Sequence, residues 1–128
     1  VLGSLGENYT RQPAIRVVLL PRDTNGHGTI FGGIILSYID LAGGVEAARH
    51  TKNKLVTVAM KEVDFKAPVL VGEVVSFYTN TIRVGRTSIS VHVDVEVERT
   101  GKPVSVTHAD MTFVSVDGEG KPKPLKNV

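Results

Sequence analysis

Only one stretch of this chain reads as a long helix, and its composition limits what can surround it. Between Ile30 and His50 there is no proline, and apolar residues recur at helical spacing over residues 34–48. Ile34, Tyr38, Leu41, Val45 and Ala48 fall on one side, with Ile35, Ile39 and Ala42 beside them and Leu36 widening the surface. At about 100° per residue that arc covers more than half the circumference, wider than the stripe of a surface helix. The rest of the fold is therefore expected to enclose this helix on most sides. The remaining sector holds Gly33, Ser37, Asp40, Gly44 and Ala47, with Gly43 at its edge, so one carboxylate is bordered almost entirely by small side chains. An interior glycine costs a helix about 1 kcal/mol relative to alanine, so several together imply close approach of another backbone or a ligand. Tight packing on a sheet is the plainer alternative, but it leaves Asp40 unexplained, because a carboxylate is costly to bury unpaired.

The partner of such a helix is legible downstream. Over residues 87–98, Thr87, Ile89, Val91, Val93, Val95 and Val97 alternate with Ser88, Ser90, His92, Asp94, Glu96 and Glu98, as in an antiparallel sheet covered on one face. Residues 72–84 form the preceding strand, which turns at Gly85-Arg86, and residues 104–116 the following one, entered through Thr100-Gly101-Lys102-Pro103. In that last strand the apolar parity changes from Val104 and Val106 to Ala109, Met111 and Phe113, which predicts a bulge near Thr107 or His108. Residues 14–20 read as a first strand closed by Pro21. Residues 55–65 read as another, since their valines and threonine favour a strand over a second helix. Residues 1–13 are expected to be an arm with little regular structure, and residues 118–128, rich in Gly, Pro and Lys, a mobile tail. The sum is a single α+β domain over residues 1–128, a five-stranded antiparallel sheet wrapped around one long central helix.

Composition removes several function classes. Without cysteine there is no disulfide framework, no thiolate zinc site and no cysteine nucleophile. A net charge of +2 and an aromatic content of 5% give no footprint for nucleic acid. No apolar run approaches the ~20 residues of a membrane span, and no basic segment with a signal-like apolar core opens the chain, so a cytoplasmic protein without membrane contact is expected. His50, His92 and His108 lack metal-ligand spacing, so neither a metal site nor a cofactor is expected. No G-x-S-x-G elbow is present, which argues against hydrolysis by an α/β-hydrolase serine.

The run from Asn25 through Gly26, His27, Gly28, Thr29, Ile30 and Phe31 to Gly32 and Gly33, followed by Asp40, resembles the N-x-x-G-x-x-F-G-G…D signature of hotdog-fold acyl-CoA thioesterases, especially the YciA-like branch and the cytosolic acyl-CoA hydrolases. Further matches follow in order: Val56 to Ala59, Asp64 to Pro68, Val71-Gly72-Glu73, Val84 to Ser88 and Thr112-Phe113-Val114. The resemblance implies a helix inside a sheet of strand order 1-3-4-5-2. It also implies dimers joined at strand 2 into one continuous sheet, with further assembly into hexamers or tetramers. The implied reaction is hydrolysis of acyl-CoA to a carboxylic acid and coenzyme A. Asp40 would act as general base on water or attack the carbonyl itself. Gly32 would present a backbone N–H to the carbonyl oxygen at the helix N-terminus, with Gly33 and Phe31 beside it. Asn25 would bind the carbonyl or orient the water, its plainer role being that of a turn or cap. For the coenzyme A portion the resemblance implies Gly85, Arg86, Thr87 and Ser88 at the tight turn. Arg83 and Lys66 would add charge against the phosphates, and Thr57 and Val58 would line the pantetheine channel. A non-catalytic acyl-CoA binding module is the alternative. A hotdog dehydratase would require a histidine near Asp40 on the helix, and none falls there.

Asp40 lies eight residues beyond Gly32, about 12 Å along a helix, too far for both to serve one carbonyl and one water. Each active site is therefore expected to be shared between two protomers, Asp40 from one and Asn25 with Gly32 from the other.

Overall fold

The strictly alternating segment becomes the middle of the sheet. In a computed structural model, which describes residues 11–126, β4 (Ser88–Arg99) lies between β3 (Val74–Val84) and β5 (Lys102–Val116). β1 (Ile15–Val18) flanks β3 and β2 (Lys54–Lys61) flanks β5, so the antiparallel sheet runs β1-β3-β4-β5-β2. Most of the arm expected over residues 1–13, and the last two residues of the expected tail, lie outside the described residues.

The helix α1 (Gly32–Ala47) packs on one face of this sheet. Ile35, Ile39, Ala42 and Ala47 meet Val75 and Phe77 of β3, Ile89 to Val97 of β4, and Ala109, Met111 and Phe113 of β5 in one buried cluster. Fully burying each of the larger of these side chains is worth about 1.5–3 kcal/mol. Gly43 is what brings the helix so close: a Cβ there would stand 3.1 Å from the Phe113 ring and 3.3 Å from Met111 Cγ. At this position the plainer reading of the helix glycines, close packing on a sheet, is the correct one. A polar clamp fixes the far end of the helix, where Glu46 accepts hydrogen bonds from Thr79 (3.1 Å) and Thr81 of β3 (2.5 Å). The Thr81 hydroxyl lowers the Glu46 pKa, partial burial opposes it, and Thr79 and Arg49 add to the lowering.

Several sequence expectations need correction. The helix runs from Gly32, where its N-terminus was expected, to Ala47. It is not enclosed on most sides, since Leu41 and Val45 are 58% and 50% exposed. The sheet covers one side of the apolar arc, and no described residue covers the other. β2 stops at Lys61 rather than residue 65, because Glu62 takes a left-handed backbone (φ 58°) that breaks the pairing. The parity slip in β5 is a bulge, one residue earlier than expected: Val95 pairs with Thr107 and Glu96 with Ser105, leaving Val106 as the extra residue. Its carbonyl accepts the N–H groups of Lys66 (2.8 Å) and Ala67 (3.4 Å), so the bulge anchors the loop that follows β2. A further bulge, at Val58 of β2, was not foreseen. The segment after β5, expected as a mobile tail, is held as far as Leu125, whose N–H bonds the Arg86 carbonyl (2.9 Å). Asp117 Oδ1 accepts the N–H groups of Glu119 (2.8 Å) and Lys121 (3.0 Å), and the Lys123 N–H returns to the Ser115 carbonyl (2.7 Å). Among the described residues no helix is long and apolar enough to cross a membrane.

Candidate active site

The chain enters the helix through a turn that spends most of its polar groups on itself. The Asn25 side chain donates from Nδ2 to Thr29 Oγ1 (2.8 Å) and accepts the His27 N–H at Oδ1 (2.9 Å), while its backbone N–H meets the Thr29 carbonyl (3.0 Å). Gly26 and Gly28, at φ 87° and 85°, supply the left-handed backbone this turn needs. Both polar ends of the Asn25 side chain are thus engaged within the turn. The Phe31 N–H then bonds the Asp23 carbonyl and the Ile30 N–H the Val69 carbonyl, both at 2.8 Å, which aims the helix start.

No side chain caps that start, so the first backbone donors, at Gly32 and Gly33, are left for another partner. The two glycines differ in what surrounds them. A Cβ at Gly33 would sit 2.6 Å from the Phe31 ring, so its glycine makes room for Phe31. A Cβ at Gly32 would meet only the Phe65 ring, at an ordinary 3.6 Å, so nothing in the protomer requires glycine there. Gly32 opens on a cleft of about 340 Å³ shared with Asn25, Thr29, Phe65, Lys66 and Pro68. An ion pair behind this wall steadies it: Arg99 binds Glu73 through Nε (2.6 Å) and NH2 (2.7 Å), and also reaches the Pro68 carbonyl. The Arg99 hydrogen bonds hold the Glu73 carboxyl below its ordinary pKa, against the effect of burial.

Two turns along the helix stands Asp40, half-buried. Its Oδ1 accepts the Thr57 hydroxyl at 2.6 Å, and its Oδ2 takes no hydrogen bond from the described residues. Thr57 points at the helix because its register partner is the inward Phe113. The next residue, Val58, is the bulge on the free edge of the sheet and is 56% exposed. The sequence placed Thr57 in a channel wall; its bond to Asp40 had no signal there beyond a hydroxyl on a strand.

The β3–β4 turn lies at the same end of the sheet. The Gly85 N–H meets the Ser88 carbonyl (2.7 Å), and a Cβ at Gly85 would press to 3.0 Å from Ser88 Oγ. The Thr87 carbonyl accepts from Ser115 (2.8 Å) and the Arg86 carbonyl from Leu125 (2.9 Å). Arg83 is exposed on β3, beside a bulge at Ile82.

The expected residues thus divide into two groups. Asn25, Phe31, Gly32, Gly33 and Lys66 gather at the helix N-terminus, over Val106. Asp40, Thr57, Val58, Gly85, Arg86, Thr87 and Ser88 gather toward Phe113 and Ser115. Lys66 is tied to Val106 and Thr87 to Ser115, positions about 30 Å apart along β5 at ~3.3 Å per residue. Lys66 and Arg86 of one chain therefore stand at opposite ends of β5. Among the described residues no three His, Asp or Glu side chains are arranged to hold a metal ion.

Comparison with known proteins gives this arrangement relatives. The thioesterase superfamily model matches residues 27–104. The acyl-CoA thioester hydrolase YciA of Escherichia coli K12 is 36% identical over 116 residues, spanning 87% of this chain and 88% of its own. Among solved structures, Cj0915, a hexameric hotdog-fold thioesterase of Campylobacter jejuni, is 42% identical with a TM-score of 0.82, covering 90% of each chain. HI0827, a hexameric broad-specificity acyl-coenzyme A thioesterase, is 37% identical with a TM-score of 0.83, covering 90% of this chain and 81% of that one.

Proposed function

The chain belongs to the thioesterase superfamily of hotdog-fold acyl-CoA hydrolases, and from that premise we propose that it hydrolyses acyl-CoA at sites built from two protomers. The observation that carries the proposal is Asp40, a helix carboxylate tethered through one oxygen to Thr57 at the free sheet edge, with its other oxygen open. The uncapped helix start supplies the complementary half, a backbone N–H at Gly32 with no packing reason to be a glycine.

The two halves meet when a second copy pairs antiparallel at the β2 edge. That pairing satisfies the open backbone groups of an edge strand and covers Leu41, Val45 and Val58, an apolar surface that a lone protomer leaves wet. Across the junction the Gly32 N–H of one protomer holds the thioester oxygen as it gains charge, and Asp40 of the other faces the carbonyl carbon. Asp40 Oδ2 takes a proton from water, the water oxygen bonds to the carbonyl carbon, the C–S bond breaks, and the thiolate leaves to be protonated. Asn25 holds the turn that aims Gly32. Arg86, Thr87, Ser88 and Arg83 meet the coenzyme A portion, and Phe31, Phe65 and Val58 lie along the acyl and pantetheine path. No cofactor enters this reaction. The dimers assemble further into a hexamer of the kind named for Cj0915 and HI0827.

The test is release of free thiol from butyryl-CoA and palmitoyl-CoA, titrated with Ellman's reagent; a chain without cysteine contributes no background. Asp40→Asn keeps the shape and removes the charge, so kcat should fall by about 10²–10⁴ while coenzyme A still binds. Turnover within a few-fold of wild type would overturn the assignment of Asp40. Tight coenzyme A binding with no thiol released by the wild type would make the protein a binding module instead.

A further inference from the structure

The wall beside the β3–β4 turn comes from the other end of the chain. Residues 117–126 form a hook. It starts at the Asp117 turn and returns to β5 through Lys123. The Pro124 carbonyl is held by Asn53 Nδ2 (3.1 Å), which also binds Ser115 Oγ (3.0 Å), and the hook ends with the Leu125 N–H on the Arg86 carbonyl (2.9 Å). The Leu125 side chain packs against the core, so the hook is anchored by apolar burial as well as by hydrogen bonds.

Between hook and turn lies a cleft of about 660 Å³ lined by Val84, Gly85, Arg86, Pro124, Leu125 and Lys126. Its lining holds two cations and no carboxylate, and neither Arg86 nor Lys126 is ion-paired by a described residue. The contrast is the groove of about 780 Å³ on the outer face of the sheet, where Arg11 is paired with Glu96 at 2.9 Å and Arg16 is spent on Ser76 and Tyr78. Glu73 and Glu98 line that groove too, so its charge is balanced. Unlike that groove, the hook cleft combines two unbalanced positive charges with an apolar floor, and its volume lies within the range of small-molecule sites.

We propose that the hook forms one wall of the nucleotide subsite, with Lys126 and Arg86 clamping the phosphates of a phosphoadenosine group while Val84, Pro124 and Leu125 receive its base. This rests on the acyl-CoA reading above, and it adds a segment that the composition marked only as a tail. The Leu125 bond to the Arg86 backbone links the two cations mechanically: docking the hook sets the turn that carries the second one.

The experiment pairs kinetics with direct binding. Butyryl-CoA and butyryl-pantetheine, which lacks the nucleotide, are compared as substrates, and adenosine 3′,5′-diphosphate is titrated calorimetrically. Lys126→Glu should raise KM for butyryl-CoA and Kd for the diphosphate about tenfold, leaving kcat and the KM for butyryl-pantetheine unchanged. Lys126→Ala should give a smaller rise, and Lys102→Glu, the same charge change at the distant β4–β5 turn, none. Values for Lys126→Glu within twofold of wild type, with hydrolysis intact, would overturn the subsite alone. Diphosphate binding that weakens as expected in a protein that hydrolyses no thioester would uphold the subsite and remove the hydrolase reading.

Discussion

The shared site makes a quantitative prediction about mixtures of inactive proteins. Gly32→Val hangs a branched side chain beside the Phe65 ring, which already lies 3.6 Å from where a Cβ would stand, and so screens the backbone donor without touching Asp40. Asp40→Asn removes the base and leaves the donor. Because about 12 Å of helix separates the two positions, the proposed site draws Gly32 from one chain and Asp40 from the other. In a mixed dimer one site then combines the intact Gly32 of one variant with the intact Asp40 of the other, and the second site carries both lesions. Random exchange of equal amounts makes half the dimers mixed, each with one working site of two, so the mixture should recover about a quarter of the wild-type rate. The variants are mixed after reversible dissociation, reassociated, checked for mixed assemblies by native mass spectrometry and assayed for thiol release. If mixed assemblies form and the rate stays at that of the separate variants, both residues serve the same site from one chain, and the geometry argued above is wrong.

Three smaller perturbations test the surroundings. Thr57→Val removes the donor to Asp40 Oδ1, a bond to a charged group worth about 1.5–3 kcal/mol, so kcat should drop roughly tenfold or more with the fold intact; an unchanged kcat would show that Thr57 does not position the carboxylate. Gly43→Ala gains about 1 kcal/mol of helix propensity. It also forces a methyl to within 3.1 Å of the Phe113 ring and 3.3 Å of Met111, both buried and unable to retreat. With overpacking costing about 1–3 kcal/mol, urea denaturation should show a net loss near 1 kcal/mol, and a raised midpoint would refute the packing argument. His92, on the outer face of the sheet, sits between Asp110 (2.6 Å) and Asp94 (3.1 Å). Partial burial pulls its pKa down, but the hydrogen bonds and charges of the two carboxylates outweigh this and leave it above its ordinary value. A raised folded pKa means that His92 contributes its stability below about pH 6.5 and loses it as pH rises through the folded value. The stability advantage of wild type over His92→Gln should therefore be largest in mildly acid solution and shrink above neutrality; the opposite trend would refute the sign.

What the sequence made legible depended on whether one residue pattern had one physical cause. The alternation over residues 87–98 has a single cause, a sheet covered on one face, and β4 follows it with every inward valine buried. The parity slip in β5 was visible because only a bulge turns Val106 and Thr107 inward together. The bulge at Val58 was not, since Leu55, Val56, Val58, Ala59 and Met60 are apolar on both faces and leave no parity to break. The helix arc had two causes superposed: Ile35, Ile39 and Ala42 are apolar for the sheet, whereas Leu41 and Val45 face outward. Periodicity counts both alike. The tail failed for another reason: its Gly, Pro and Lys content describes a chain with little core, but one Asx turn at Asp117 and one leucine suffice to dock it. The glycines show the limit most clearly. In sequence Gly32, Gly33 and Gly43 are equivalent signals of close approach, yet Gly43 is required by Phe113 and Gly33 by Phe31, both within the chain. Of the four helix glycines, Gly32 and Gly44 lack an internal reason, since a Cβ at Gly44 would meet only the Phe113 ring at 4.0 Å; of these two Gly32 alone stands at the uncapped helix start, and a backbone donor kept bare of a side chain there is best accounted for by a molecule from outside the protomer.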